Sequence, residues 1–385
     1  MPIFIKPSQI RRLVLAAGLT APLWSLQADA KSKNPDVALT PGALKFPRDL
    51  GSHPDFSIEW WYLTGHLVAS TGAGPSRDKR EFGFQLTFFR SRISATQDMR
   101  SAFAAKQLIF AHAAVTDVPG KKLWHDQRIA RESFELAQAS QKDTAITLRD
   151  WSLQRDATGY KAVAAGAGFR FQLALQETQP LLLQGDRGVS RKGPQAQQAS
   201  YYYSLPQLQV TGTLGLHDQT TQVQGTAWLD HEWSRELLHP QAVGWDWIGM
   251  NLLDGSALTA FRLRDQAGHT HWDGGSFRHP GMGPTPYVFA PGTVKFQTLR
   301  NWTSPLTQAS YPVEWMVRIN SPGAPTALAS VYIVKAIVDN QELDSRNSTG
   351  AVYWEGLSEI FDADGRLLGR GYLEMTGYAS PLKLS

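Results

Sequence analysis

The 385-residue chain contains no cysteine, which excludes a disulfide framework, a Cys-ligated zinc and a thiol nucleophile. It also lacks any block of like charge longer than a few residues. Its 38 Lys and Arg and 34 Asp and Glu are spread along the whole length, for a formal charge of +4, so the clustered basic footprint of a nucleic-acid binder is missing. No Gly-x-Ser-x-Gly elbow, P-loop or Gly-x-Gly-x-x-Gly fingerprint occurs, and serine-hydrolase and nucleotide chemistry lose their usual support. Helical periodicity is scarce, no solenoid repeat is evident, and past the N-terminal segment no apolar run is long enough for a membrane-spanning helix.

What the chain does have begins at its N-terminus. Lys6, Arg11 and Arg12 precede the mostly apolar run Leu13 to Leu26, and Ala28-Asp29-Ala30 reads as a small-x-small cleavage site. This is the pattern of a secretory signal, with a loose twin-arginine character at Arg11-Arg12. The expectation is a signal peptide over 1–30, a mature chain from Lys31, and a periplasmic or secreted location.

From about residue 57 the sequence becomes a succession of short alternating segments separated by turn chemistry, as in an antiparallel β-protein. Phe82, Phe84, Leu86 and Phe88 occupy one parity and small or polar residues the other, which in a strand sends one row to each face. Pro119-Gly120, Asp254-Gly255 and Asp364-Gly365 read as hairpin turns in which glycine supplies the positive φ. Residues 178 to 206 break the rhythm and suggest a boundary or a long crossing loop, giving two units, 31–200 and 201–385. Gly274 to Gly292, rich in Pro and Gly, reads as a surface loop or a lid.

Three constellations carry chemistry. In Ser57 to His66, alternation puts Trp60, Tyr62 and His66 on one face and Glu59, Trp61 and Leu63 on the other. A Glu59 buried without a partner would have a raised pKa and serve as a proton donor, whereas pairing with Arg90 would make it structural. In Trp228 to Trp233, Asp230 and Glu232 share a face with Trp228, while His231 and Trp233 take the other; Gly244-Trp245-Asp246-Trp247 follows closely. Carboxyls beside apolar walls are poised as acids, or are paired to hold the fold. Adjacent strand residues point apart, so Asp230 and His231 do not ligate one metal without a bulge. His269 and His271 share a face at zinc-site spacing but have no third ligand nearby.

The motifs around Phe46-Pro47-Arg48-Asp49, His53-Pro54, Glu59 to Gly65, Gln85 to Arg90, Ala111-His112, Ala227 to Ser234, Gly244 to Gly249 and Tyr353-Trp354-Glu355-Gly356 closely resemble the AttH/CrtC-like family, from about residue 45 to 380. This family's members have been labelled predicted secreted hydrolases, and it includes carotenoid 1,2-hydratase. The resemblance implies an all-β fold of two tandem lipocalin-like antiparallel β-barrels and an apolar ligand between or within them; related fungal proteins act as Diels-Alderases. In the hydratase branch an acidic side chain protonates a terminal isoprenoid double bond and water captures the cation, without a cofactor or a metal.

Two functions remain open. One is a cofactor-free hydro-lyase or hydrolase in which Glu59, Asp230 or Asp246 is the acid and His231 orients it or activates water. Its substrate would be bound by Trp60, Tyr62, Gln85, Trp228, Trp233, Trp245 and Trp247. The other is a non-catalytic periplasmic carrier or chaperone of the same hydrophobic molecule. In both, the partner is a hydrophobic small molecule or lipid, which brings the protein near a membrane surface.

Overall fold

The computed structural model describes residues 38–71, 78–101, 103–133, 135–236 and 239–382; the expected signal peptide lies outside them. Among the described residues there are twenty-three strands and three short 3-10 turns, with no α-helix. The strands form two antiparallel sheets, one of thirteen strands and one of ten, each curled into a barrel or half-barrel. The antiparallel all-β architecture is what the alternation and turn signals describe, and its two lipocalin-like units are what the family resemblance implies.

Alternation decides which side chains fill each interior. Along Asp78–Arg92, the row Phe82, Phe84, Leu86 and Phe88 is buried in the first barrel. Phe169, Phe171, Leu173 and Leu175 alternate strictly with exposed neighbours in the strand Phe169–Gln176. Trp61, Leu63, Leu67, Trp151 and Trp233 complete that core. The second barrel is filled around Ile248, Met250, Trp315, Tyr332 and Trp354. Each fully buried side chain of this size contributes a few kcal/mol, about 1.5–3 for Phe or Leu.

The first sheet runs further along the chain than the expected boundary at residue 200. Ala199–Leu216 and Gln219–Ser234 form a long hairpin inside that sheet, between Ile58–Thr71 on one side and Phe169–Gln176 on the other. The change of sheet falls between Ser234 and Gly244. The irregular composition of 178–206 comes instead from two short strands, Leu182–Leu183 and Val189–Arg191, which pair with the start of that hairpin. Likewise, Gly274 and Gly275 lie within the strand Thr270–Arg278; Gly275 has φ +147°, and a Cβ there would sit 2.2 Å from the Thr259 carbonyl oxygen. Turn formers there mark a close strand approach, and only the later part of the stretch is a loop.

All three expected hairpins are present, with Gly255 at φ +84° and Gly365 at φ +82°. At Pro119-Gly120 the positive φ falls on Lys121 (+48°), and Gly120 is there for space, because a Cβ would meet the Asp117 carboxylate at 2.4 Å.

The two barrels dock through their outer faces. Tyr62, Leu182, Trp228, Trp247, Phe261, Leu357 and Tyr372 form an apolar cluster across the junction, with Trp60, Trp245 and Trp272 packed against it. Gly83 permits this approach, because a Cβ there would lie 2.7 Å from the Tyr372 hydroxyl and 3.0 Å from Leu357 Cβ. Polar bonds lock the junction: Thr116 Oγ1 donates to Gln341 Oε1 (2.8 Å), Asn251 Nδ2 to the Ala227 carbonyl (3.0 Å), and Ser276 Oγ to Gln184 Oε1 (2.6 Å).

Candidate functional site between the barrels

Strand registers bring the outward rows together. In the first sheet Tyr62 lies opposite both Thr87 and Asp230, and Thr64 opposite both Gln85 and Trp228. His112 lies opposite Thr87, and Ser204 opposite Asp230. In the second sheet Glu355 is the direct partner of Glu374, and Trp247 is the partner of Glu374 on its other side. The two outward faces thus meet with tryptophans, tyrosines and three carboxyls between them. Tyr62 and Trp247 pack edge to face at 5.4 Å, and Trp228 and Trp247 do so at 6.4 Å.

Asp230 is 3% exposed. Its Oδ1 accepts from Ser204 Oγ (2.5 Å) and Trp228 Nε1 (2.6 Å), and its Oδ2 accepts from the Tyr202 hydroxyl (2.8 Å). Burial drives its pKa up and the three donors oppose it, leaving the carboxyl at about 7. Beside it, Glu232 is tied to Lys192 Nζ at 2.9 Å and accepts from Ser200.

Glu355 is also 3% exposed, and its environment is less accommodating to charge. Gln85 Nε2 donates to its Oε2 at 2.5 Å, while Oε1, the Tyr62 hydroxyl and Gln85 Oε1 have no hydrogen-bond partner. Burial, then the neighbouring Glu374, hold its pKa well above the usual carboxylate range, with the Gln85 donor opposing. Glu374 is itself raised to about 8, by burial and by Asp230 and Glu232, with Trp245 opposing. Like charges directly opposite on a sheet repel. With Glu355 buried and Glu374 half-buried, this cross-strand pair of glutamates is accommodated when at least one stays protonated near neutral pH.

The other expected acids lie elsewhere. Glu59, wholly buried, is inside the first barrel. Its Oε2 accepts from Arg90 Nε (2.8 Å) and Ser52 Oγ (3.1 Å), while His53 Nδ1 and His231 Nε2 stand 2.7 and 2.8 Å from Oε1. Burial would raise its pKa, but His231, His53 and Arg90 together hold it well below the usual range. It is an anion, not a proton donor. His231 belongs to this cluster: burial lowers its pKa to about 4, Trp61 stacks on it at 4.5 Å, and Tyr203 binds its Nδ1 at 3.0 Å. It cannot orient Asp230, which faces the opposite side of the same strand. Trp233 stacks on His53 at 3.8 Å in this interior and does not line the junction.

The ligand atoms of His53, Glu59 and His231 lie within 4.8 Å of one another, close enough to hold a metal ion. Each is already hydrogen-bonded, and Arg90 places a cation on the same carboxylate, so the cluster is complete as a hydrogen-bonded core. Asp246 is the counterpart in the second barrel: buried, 2.7 Å from Arg262 Nε and 3.0 Å from Arg264 Nε, and accepting from the Tyr378 hydroxyl at 2.9 Å. In each barrel an acid near the start of a strand faces an arginine directly across the ladder, Glu59 with Arg90 and Asp246 with Arg262. His269 pairs with Asp265, whereas His271 lies 4.0 Å from the His239 ring, so these two imidazoles serve no common ligand.

Of the expected residues, then, Asp230, Trp60, Tyr62, Gln85, Trp228, Trp245 and Trp247 share the junction, and Glu59, His231, Trp233 and Asp246 do not. Glu355 and Glu374 complete the site. The motif Tyr353 to Gly356 was a signal for the first, since it sets an acid among aromatics; Glu374 has none in the sequence.

Comparison with known proteins agrees with this architecture. The family model for AttH-like proteins matches residues 37–378. The crystal structure of a Nitrosomonas europaea protein assigned to AttH superposes with a TM-score of 0.77 at 44% identity, covering 88% of this chain and 100% of that one. Kievitone hydratase from Nectria haematococca shares the fold at 12% identity, with a TM-score of 0.65 over 89% of this chain and 97% of its own. No curated protein matches at a significant level. With two docked barrels, the junction between them and a match along nearly the whole described length, the chain belongs to the AttH-like family.

Proposed function

We propose that the protein is an exported, cofactor-free hydro-lyase or hydrolase acting on an apolar, lipid- or isoprenoid-like molecule at the junction, with Glu355 as general acid. The observation that carries this reading is the cross-strand pair of buried Glu355 and half-buried Glu374, set beside Asp230 among tryptophans. Near neutral pH, such a group holds a proton that it can give away. In a hydration, the Glu355 O–H bond breaks as its proton adds to one alkene carbon, and the cation left on the other faces Trp228, Trp245 or Trp247. Asp230, with three donors favouring its anion, takes a proton from water as the water oxygen bonds to the cation. Sum: alkene plus water gives alcohol, and one proton moves from Glu355 to Asp230. The kievitone hydratase fold lends a chemical precedent of the same class. A mature chain starting at Lys31 in the periplasm or outside the cell fits an apolar substrate drawn from a nearby membrane surface.

The test is to incubate the protein with an acyclic terpene bearing a terminal isoprenoid double bond, in heavy water, and follow the products by mass spectrometry. Wild type should add water and one carbon-bound deuterium. Glu355→Gln should bind the terpene as before while turnover falls by about 10²-fold or more. Unchanged turnover in that variant sinks the acid assignment. Tight retention of the terpene by wild type without any product would favour the carrier instead.

A further inference from the structure

Beyond Glu355, hydrogen-bonding groups continue in a line to the surface. Tyr353 is two residues along the same strand, Val352–Phe361, and therefore on the same face as Glu355. The Gln85 amide, bonded to Glu355, stands 3.4 Å from the Tyr353 hydroxyl. The Tyr353 hydroxyl is 2.6 Å from His112 Nδ1, and His112 Nε2 is 2.8 Å from Ser348 Oγ. Ser348 reaches Gln127 Oε1 at 2.6 Å. Ser348 and Gln127, both half-buried, line a cleft of about 400 Å³ on the surface, together with Arg128, Arg149 and Asp150. Four strands from the two barrels and one loop meet along this line.

We propose that Tyr353, His112 and Ser348 form a proton relay joining the Glu355 carboxyl to water in that cleft. The inference rests on the reading of Glu355 as the acid and adds the route by which its proton is restored. His112 is wholly buried and Tyr353 is 8% exposed; the Phe89 ring stands 5.3 Å from the imidazole. Burial, with His125 adding to it, lowers the His112 pKa to about 3, so the ring is neutral, with one N–H and one lone pair.

In the structure Ser348 donates to Gln127 Oε1, so Nε2 carries the N–H toward Ser348 and Tyr353 donates to Nδ1. Recharging uses the other tautomer, with the Ser348 hydroxyl turned to Nε2, Nδ1 donating to Tyr353 and the Tyr353 hydroxyl turned to the unpartnered Glu355 Oε1. Moving every proton one step inward gives protonated Glu355 and an imidazole with its N–H on Nε2, which now donates to Ser348. A cleft water gives Ser348 its proton back, leaving hydroxide to the solvent. No charge is held on any buried relay atom at either end of this shift. The cycle closes when Asp230 releases to solvent the proton it gained during water addition, which neutralises that hydroxide and leaves both carboxyls as they began.

The relay can be tested without a substrate. Rapid mixing into heavy water, followed by infrared spectroscopy, reads the carbonyl stretch of unionised carboxyls, and the Glu355 band is the one lost in Glu355→Gln. Ser348→Ala and His112→Phe should slow deuteration of that band by at least about tenfold, the cost of one lost buried hydrogen bond in the path. Ser348, at the half-buried end, is the variant expected to fold like wild type. Thr116→Val, which removes an inter-barrel bond outside the line, should leave the rate unchanged. Equal rates in wild type, Ser348→Ala and His112→Phe would overturn the relay, as would equal slowing by Thr116→Val. A spectrum with no unionised Glu355 band would overturn the acid assignment and the relay with it.

Discussion

Asp230 carries two opposing demands. Its three donors would suit an anion, and its burial penalises one. Because its folded pKa of about 7 lies above the ordinary 3.8, the folded state holds a proton that the unfolded state has released between those values. Stability from this group is thus present in full below about pH 4 and is lost as pH rises through 7, by on the order of 4 kcal/mol for three pK units. Asn at 230 keeps an acceptor for Ser204 and Trp228, and its amide donates to the Tyr202 hydroxyl. Asp230→Asn should therefore unfold like wild type, within about 1 kcal/mol, at pH 4, and be the more stable protein at pH 8. Urea unfolding at the two pH values checks this; a variant weaker than wild type at pH 8 would contradict it. Nothing in the sequence around residue 230 distinguishes an acid fed by hydroxyl and indole donors from one fed by arginine, since Tyr202 and Ser204 reach it from a neighbouring strand.

At the scale of the strand, period-two alternation made the faces legible. It separated Trp60 and Tyr62 from Glu59 and Trp61, and Asp230 from His231 and Trp233, with the correct partition in both strands. It could not say which face was the barrel interior, because both carry acids and aromatics. The registers resolve this: Glu59 lies opposite Trp233 and Tyr62 opposite Asp230 on the same pair of strands. Acids on opposite faces of one ladder should then respond oppositely to neutralisation. The folded pKa of Glu59 lies well below 4.5, so its stabilisation is present above that value and is lost as pH falls through the folded pKa. Glu59→Gln leaves Arg90 buried without its partner and should cost about 3 to 5 kcal/mol at pH 7, with the gap narrowing under acid conditions. Thermal melts of Glu59→Gln beside Asp230→Asn at neutral pH would show a large loss for the first and a gain for the second; two equal losses would refute the assignment of faces.

For the whole molecule, composition and turn chemistry sufficed for two antiparallel β units, and the family motifs for their lipocalin-like character. The sheet boundary was harder to read. Composition changes near residue 200, but the hairpin Ala199–Leu216 and Gln219–Ser234 closes the first sheet by pairing with a strand that starts at Ile58, and pairings at such separation leave no local mark. The site has the same character: Glu355 and Glu374 come from the last two strands and meet Asp230 and Gln85 only because the barrels dock. The central claim is that this junction keeps a carboxylic acid protonated near neutral pH. Carbon-13 labelling of glutamate and aspartate side chains, with a pH titration of the carboxyl resonances assigned through Glu355→Gln, Glu374→Gln and Asp230→Asn, measures it directly. The account predicts that the Glu355 resonance remains that of the neutral acid at pH 7, with Asp230 and Glu374 titrating near 7 and 8. Ionisation of all three below about pH 5, as for ordinary carboxyls, would contradict it.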